Sequence, residues 1–95
     1  MVDIKNKNFK ISDNKAISII DNEALLLHLG TGSYFKLNEV ALFIVQHLSN
    51  FTNLDNIKSL VAANFEVEED ECLDDIKIFL KKLAERDLLE IQIDD

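Results

Sequence analysis

The hydrophobic pattern of the chain changes its period once, close to Asn38. In residues 16–37, apolar side chains alternate or form short β-rich runs, which is typical of strands. In residues 38–87 they recur every three or four positions, which is typical of helices. A chain of 95 residues is the size of one domain. We therefore expect an α+β fold in which a small sheet precedes a group of helices.

Three antiparallel strands are predicted before Asn38, over residues 17–20, 24–29 and 33–37, with turns at 21–22 and 30–32. In the second strand, Leu25, Leu27 and Leu29 follow one another at period two. In the third strand, the same alternation places Phe35 and Leu37 on one face and Tyr34 and Lys36 on the other.

Three helices are predicted after the strands. Asn38 is a favourable N-cap for the first helix, whose apolar residues cover most of its circumference and predict a central position. The second helix, over residues 53–64, opens with Thr52-Asn53-Leu54-Asp55, a variant of the capping box. The third runs from about residue 69 to Arg86, with a core stripe at Leu73, Ile76, Leu80 and Leu83.

Both ends of the chain are less regular. Residues 1–15 are polar and rich in Lys and Asn, so we expect a partly ordered lead-in, anchored by Phe9 and Ile11. Residues 16–93 then form the domain itself, and the run 88–93 is either a last strand or an extended tail. A three-stranded antiparallel sheet followed by three helices is the plan of a winged helix-turn-helix domain.

The charge distribution argues against several classes of partner. The net charge is −8, and it is uneven, because residues 1–37 carry net +1 and residues 38–95 carry net −9. Helix three is acidic, whereas helices that read DNA contact it through Arg or Lys. We therefore expect no nucleic-acid partner and no anionic membrane surface. No apolar run approaches the roughly 20 residues that span a bilayer, and no signal peptide is visible, so we expect a cytoplasmic protein.

The residues that could carry chemistry do not form a catalytic constellation. His28 and His47 have no partner acid or nucleophile at a suggestive position, and Gly30-Thr31-Gly32 leads into a strand, as a hairpin turn does. The single cysteine, Cys72, lies among carboxylates that raise a thiol pKa. The acidic run 66–75 lacks the glycine of a calcium loop and is interpreted as a solvated helix start. We expect no enzyme activity, no catalytic residue, no metal site and no cofactor.

Helix three has apolar residues outside its core stripe. On a helical projection Phe79 and Cys72 flank the stripe, Ile78 lies far from it, and Asp75 and Lys82 fall between Phe79 and Ile78. Such a band predicts one wall of a groove. The alternative is that Phe79 packs under the sheet and that Ile78 is a single exposed apolar residue.

The third strand supplies a second wall. In a three-stranded meander it is an edge, and the run SYFKL is β-prone, carries one charge and contains no proline. A peptide can pair with such an edge through main-chain hydrogen bonds while its side chains point toward helix three. That arrangement is β-augmentation, a recurring mode of peptide recognition.

These segments resemble the PqqD-like family (pyrroloquinoline quinone biosynthesis protein D), also called the RiPP recognition element. The likeness lies in the apolar run at 24–27, in Gly32–Ala41 with its Leu-Asn before the first helix, and in the third helix. That helix fits a D-V-x-x-F-L-x-x-L pattern at Asp75–Leu83 and is followed by Leu-Leu. The chain departs from the family at Asp87, since the family usually has Gly before the two leucines.

The resemblance implies a winged helix-turn-helix fold that does not bind DNA. It implies a chaperone that binds the leader of a ribosomally made precursor peptide and presents it to a modifying enzyme, such as a radical-SAM protein, a cyclodehydratase or a leader protease. In the family the leader adds to the third strand and lies against the third helix. Carried over to this sequence, the site residues are Ser33, Tyr34, Phe35, Lys36, Leu37, Cys72, Asp75, Ile78, Phe79 and Lys82.

Two functions therefore stay open from the sequence. The first is the leader-binding chaperone, with lasso peptides, thioether-bridged peptides and quinone cofactors all compatible as products. The second is a winged-helix regulatory protein that acts through DNA or through a protein partner, against which the acidic third helix argues.

Overall fold

The structure, a computed structural model, describes residues 4–21 and 23–92. A three-stranded antiparallel sheet is followed by three helices, which confirms the expected fold class, and a two-stranded sheet joins the two ends of the chain. The elements are β1 (Asn8–Ile11), β2 (Lys15–Ile20), β3 (Glu23–His28), β4 (Tyr34–Leu37), α1 (Glu39–Gln46), α2 (Leu54–Phe65), α3 (Glu69–Glu85) and β5 (Leu89–Gln92).

Within the predicted lead-in, Asn8–Ile11 form strand β1, which was not predicted from the sequence. β1 pairs antiparallel with β5, and Phe9 and Thr52 exchange main-chain hydrogen bonds of 2.8 and 2.9 Å. The side chain of Phe9 is 0% exposed and that of Ile11 is 3% exposed, which confirms both as anchors. A strand whose partner lies at the opposite end of the chain leaves no local signal, and this explains why β1 was not predicted.

The three-stranded sheet has β3 at its centre and β2 and β4 at its edges. The buried face of β3 carries Ala24, Leu26 and His28, while Leu25 and Leu27 are half-buried on the opposite face. Both faces of this strand are apolar, so period two alone did not reveal which face is in the core. In β4 the predicted alternation is confirmed, because Leu37 is buried, Phe35 is half-buried, and Tyr34 and Lys36 are exposed.

A buried histidine orders the turn between β3 and β4. The Nδ1 atom of His28 accepts hydrogen bonds from the main-chain N–H groups of Gly30 and Thr31, at 3.0 and 3.2 Å. A Cβ on Gly30 would lie 3.0 Å from the His28 ring, and Gly32 has a positive φ of 77°. The structure thus gives His28 a structural role and confirms the glycine segment as a hairpin turn.

The helices begin close to the predicted positions. The Asn38 side chain accepts a hydrogen bond from the Ala41 N–H at 2.8 Å, which confirms it as the N-cap of α1. The cap of α2 is Asn53, which accepts from the Asn56 N–H at 2.9 Å, so the capping box based on Thr52 was wrong. Thr52 is instead engaged by its main-chain pairing with Phe9.

At the end of α3 the chain has Asp87 where the family usually has a glycine. Asp87 has a positive φ of 57°, a conformation that Asp tolerates better than most residues. The N–H of Leu88 then donates to the carbonyl of Leu83 at 2.8 Å, and Leu88 becomes fully buried. The chain can therefore turn from α3 into β5 without a glycine at this point.

Candidate functional site

The outer edge of β4 is open. Within the described ranges β4 pairs with β3 alone, in a register that places Phe35 opposite Leu26 and Leu37 opposite Ala24. The Ser33 carbonyl accepts from the His28 N–H at 2.8 Å, so it points toward β3. Because main-chain groups alternate in direction along an antiparallel strand, the N–H and C=O groups of Tyr34 and Lys36 point toward the open edge.

Two adjoining concavities lie beside this edge and share Asn38, Ala41 and Phe79. The first has a volume of about 420 Å³ and lies against β4, with Phe35, Leu37 and Lys82 in its lining. The second has a volume of about 440 Å³ and lies farther from β4, between the three helices. We call these two neighbouring concavities together the β4–α3 groove. Its lining residues are Glu23, Ala24, Phe35, Lys36, Leu37, Asn38, Val40, Ala41, Ile44, Val61, Phe65, Val67, Glu71, Cys72, Asp75, Ile76, Phe79 and Lys82.

The start of α1 forms the floor of the groove. Asn38 follows the last residue of β4 and is also the N-cap of α1. Val40 and Ala41 therefore lie close to the edge strand, and both are half-buried. The sequence predicted that α1 is central and buried around most of its surface. In the structure, only Ile44 and Val45 of this helix are fully buried. Apolar surface near the N-terminus of α1 is left facing the groove instead of the core.

The α3 wall of the groove combines a firmly packed part and an accessible part. Cys72 is 9% exposed, and its Sγ–H donates to the Glu69 carbonyl at 3.4 Å. Burial raises the pKa of the Cys72 thiol, and the nearby Glu69 carboxylate acts in the same direction. Phe79 is half-buried and contributes to both concavities, so its ring lies where they join. Cys72 is thus a packing residue, whereas Phe79 offers apolar surface.

The C-terminal end of α3 is held against β4 by a stacking contact. The Arg86 guanidinium lies 5.3 Å from the centroid of the Phe35 ring, within the range of cation–π attraction. Phe35, which lines the concavity beside β4, thereby also contacts the residue that follows α3.

The ten predicted site residues are distributed in three ways. Phe35, Lys36, Leu37, Cys72, Asp75, Phe79 and Lys82 line the β4–α3 groove. Ser33 and Tyr34 do not line it, although the main chain of Tyr34 belongs to the open edge. Ile78, which was predicted as part of the groove wall, is 52% exposed and lies outside the lining of both concavities, as in the alternative of a single exposed apolar residue.

Several lining residues were missed from the sequence. The apolar ones on α1 and α2, such as Val40, Ala41 and Phe65, have the spacing of ordinary core residues, so nothing distinguishes them locally. The sequence signal that could have revealed them is Leu37-Asn38 at the end of β4, because these two residues place the start of α1 next to the edge strand.

Other kinds of site find no support among the described residues. Within 4–21 and 23–92, no group of three or more His, Cys, Asp or Glu side chains is placed to hold a metal ion. The Nδ1–H of His47 donates a hydrogen bond to the Phe43 carbonyl at 2.8 Å, and the centroids of the His47 and Phe43 rings lie 4.2 Å apart. Of the helices in this part of the chain, none has the length and apolar character needed to cross a membrane.

Comparison with known proteins bears on this geometry. A family model described as "Coenzyme PQQ synthesis protein D (PqqD)" matches residues 23–89. The solved structure "TbiB1 in Complex with the TbiA(beta) Leader Peptide" is similar at 36% sequence identity and a TM-score of 0.74, covering 90% of this chain and 99% of that chain. No curated protein sequence matches the chain.

A second solved structure, "Lasso peptide synthetase B1 complexed with the leader peptide", has a TM-score of 0.72 and covers 86% of this chain and 96% of that chain. At 24% sequence identity, its likeness concerns the fold. The sheet and the three helices therefore occur in both of these solved chains.

Proposed function

The chain belongs to the PqqD family, and we propose that it binds the leader segment of a ribosomally synthesised precursor peptide and presents it to a modifying enzyme. One observation carries the proposal. The open edge of β4 lies beside an apolar groove, in a chain 36% identical to one solved with a leader peptide.

Strand addition explains why the edge of β4 is left open. The main-chain groups of Tyr34 and Lys36 can accept and donate hydrogen bonds to a peptide that lies parallel or antiparallel to β4. An exposed edge that carries a single charge and no proline is a liability for a free protein. A dedicated peptide partner makes this edge useful, because the added strand covers the unpaired main-chain groups.

Side-chain burial in the β4–α3 groove supplies the second part of the binding energy. In an added strand every second side chain points to the same face, so alternate residues of the leader enter the groove. Phe79 and Ala41 lie where the two concavities meet, and an apolar leader residue at that point contacts both. The affinity should lie between micromolar and nanomolar, about −8 to −12 kcal/mol, after the cost of ordering the leader.

The chain's own role in this proposal is binding, and the chemistry belongs to the enzyme that receives the precursor. A leader held as a strand is fixed in register and direction, so the segment that follows it is delivered at a defined place. A radical-SAM protein, a cyclodehydratase and a leader protease all fit as the recipient. Such a complex would assemble in the cytoplasm.

Fluorescence polarisation tests the function directly. The N-terminal leader of a short precursor encoded beside this gene is labelled, and the full chain is titrated into it. We expect saturable binding that a scrambled leader of the same composition does not reproduce. No binding of the leader to a chain shown to be folded would overturn the proposal.

A pair of helix variants connects the binding to the groove. Phe79→Ala removes a ring from the junction of the two concavities and should weaken leader binding by about tenfold or more, which is about 1.4 kcal/mol. Ile78→Ala changes the neighbouring residue, which is 52% exposed and outside the groove, and should leave the dissociation constant almost unchanged. Equal losses in both variants would place the leader elsewhere.

A further inference from the structure

Acidic and basic side chains occupy different positions along α3 where this helix lines the groove. Glu71 and Asp75 line the concavity that is remote from β4, and Lys82 lines the concavity beside β4. All three are exposed. Among the described residues, no ion pair involves Glu71, Asp75 or Lys82. Their charges are available to a bound peptide.

The other charged residues near the groove do not contribute in the same way. Lys36 and Glu23 also belong to the lining of the concavity beside β4. In their strands they are exposed and come directly before the buried residues Leu37 and Ala24. Their side chains therefore point to the outer face of the sheet. The charges that a leader side chain meets inside the groove therefore come from α3.

The geometry of α3 fixes the separation between the two signs. Lys82 lies seven positions after Asp75, which is about 10 Å along a helix, and it lies about 16 Å from Glu71. An extended peptide advances about 3.3 Å per residue. A leader that follows α3 thus covers these distances in about three and about five residues.

We propose that the leader carries an acidic residue beside Lys82 and a basic residue beside Asp75 and Glu71, separated by about three to five positions, with an apolar residue between them over Phe79. The inference rests on the proposed function and adds the charge pattern that makes one leader preferred over another. Charges arranged in this way select a partner and its register more than they add raw affinity, because a leader shifted by a few positions would meet like charges.

The pattern also predicts a consequence for leader direction. The concavity with the carboxylates lies beyond the end of β4 where Asn38 starts α1, and Lys82 lies beside the strand itself. In an antiparallel addition the basic residue of the leader precedes its acidic residue, and in a parallel addition it follows it. The order of the two charges therefore reports how the strand is added.

Complementary charge reversal tests the inference. In the labelled leader, each acidic residue is changed to Lys and each basic residue to Glu, one at a time, and binding to the wild-type chain is measured. We expect one acidic and one basic position, three to five apart, at which reversal weakens binding about threefold to tenfold. Lys82→Glu should restore binding of the leader altered at the acidic position, and Asp75→Lys that of the leader altered at the basic position.

Neighbouring residues of α3 provide the matched controls. Asp74→Lys and Lys81→Glu make the same changes of charge one position away, outside the groove lining, and should restore neither leader. Circular dichroism of each variant establishes that it is folded. Restoration by the controls as well would mean that only the net charge matters, and that result overturns the inference.

The remaining outcomes separate this inference from the function on which it rests. If the wild-type chain binds the leader and no reversal weakens binding, or the leader lacks one of the two charges, the charge pattern is wrong and leader binding stands. If the wild-type chain does not bind the leader at all, both proposals fall.

Discussion

The two small sheets of this protein are built from similar residues but are used in opposite ways. β1 and β5 pair with each other, and the side chains of Phe9, Ile11 and Leu89 enter the core. A salt bridge of 3.2 Å from Lys10 to Glu90 lies across the same pair. The sheet β2–β3–β4 has two open edges, and Ile19 and Ile20 of β2 are 61% and 62% exposed.

The difference teaches that an apolar strand has two possible uses. Where the strand closes the domain, its apolar residues are removed from water and stabilise the fold. Where the strand stays at an edge, the same kinds of residue leave main-chain groups free for a partner. Composition does not distinguish the two, since Ile11 and Ile19 are the same residue in the two settings.

Removing the anchor of the closed sheet should have the largest effect. Phe9→Ala empties a fully buried site, and large-to-small changes of this kind cost about 3–5 kcal/mol. Since small domains are stable by about 5–15 kcal/mol, much of the stability should be lost, as urea denaturation would measure. Ile19→Ala in the open sheet should cost less than about 1 kcal/mol. Similar losses in both variants would mean that the open sheet also holds the domain together.

A proline at the open edge should separate binding from folding. The N–H of Lys36 points away from β3, so Lys36→Pro removes a donor for an added strand and keeps the pairing with β3. We expect leader binding to weaken by about tenfold, with the cooperative unfolding transition retained. Lys36→Ala keeps the N–H and should bind nearly as well as the wild type. If proline and alanine act alike, main-chain pairing at this position is not used.

A smaller effect is expected at the turn of the open sheet. Gly32 has a positive φ of 77°, and a Cβ there would meet no atom within 4 Å, so Gly32→Ala adds backbone strain without a clash. The cost should be about 1–2 kcal/mol in thermal or urea unfolding. The closed sheet depends on contacts between the chain ends and has no such turn, so a loss comparable to that of Phe9→Ala would contradict the comparison.

The smallest effect concerns the pH dependence of stability. Burial raises the pKa of Cys72 above its ordinary value of 9.0, so the folded chain holds the thiol proton more tightly than the unfolded chain. That contribution is fully present below the ordinary value and is lost as the pH rises through the folded value. The stability difference between wild type and Cys72→Ala should therefore shrink from about pH 8 to about pH 10 in urea titrations. If the stability difference grows with pH instead, the pKa of Cys72 is lowered by folding and not raised.

Much of the fold could be predicted because its signals are local. The Asn38 cap, the glycine turn at 30–32 and the stripe of α3 each depend on residues a few positions apart. The face of β3 that is buried could not be predicted, because leucines occupy both of its faces. For α2, Thr52 and Asn53 are both good caps, and the pairing of Thr52 with Phe9 decided between them.

The candidate site follows the same division. Periodicity placed Phe79, Asp75 and Lys82 on one band of α3, and all three line the groove. It also placed Ile78 in the groove wall, but Ile78 is 52% exposed and lies outside the lining of both concavities. The floor of the groove could not be predicted, since Val40 and Ala41 have the spacing of core residues, although both are only half-buried and line the groove.

By itself, the sequence determined the order of strands and helices, the turn that joins β3 to β4, and the acidic character of the helical half, because these depend on neighbouring residues and on composition. Tertiary structure alone decided that the two chain ends pair, that Leu26 is the buried leucine of β3, and that Val40 and Ala41 stay half-buried beside β4. The physical reason is that strand partners are chosen by contacts between distant segments. Which main-chain groups remain unpaired is therefore known only once the whole chain has packed.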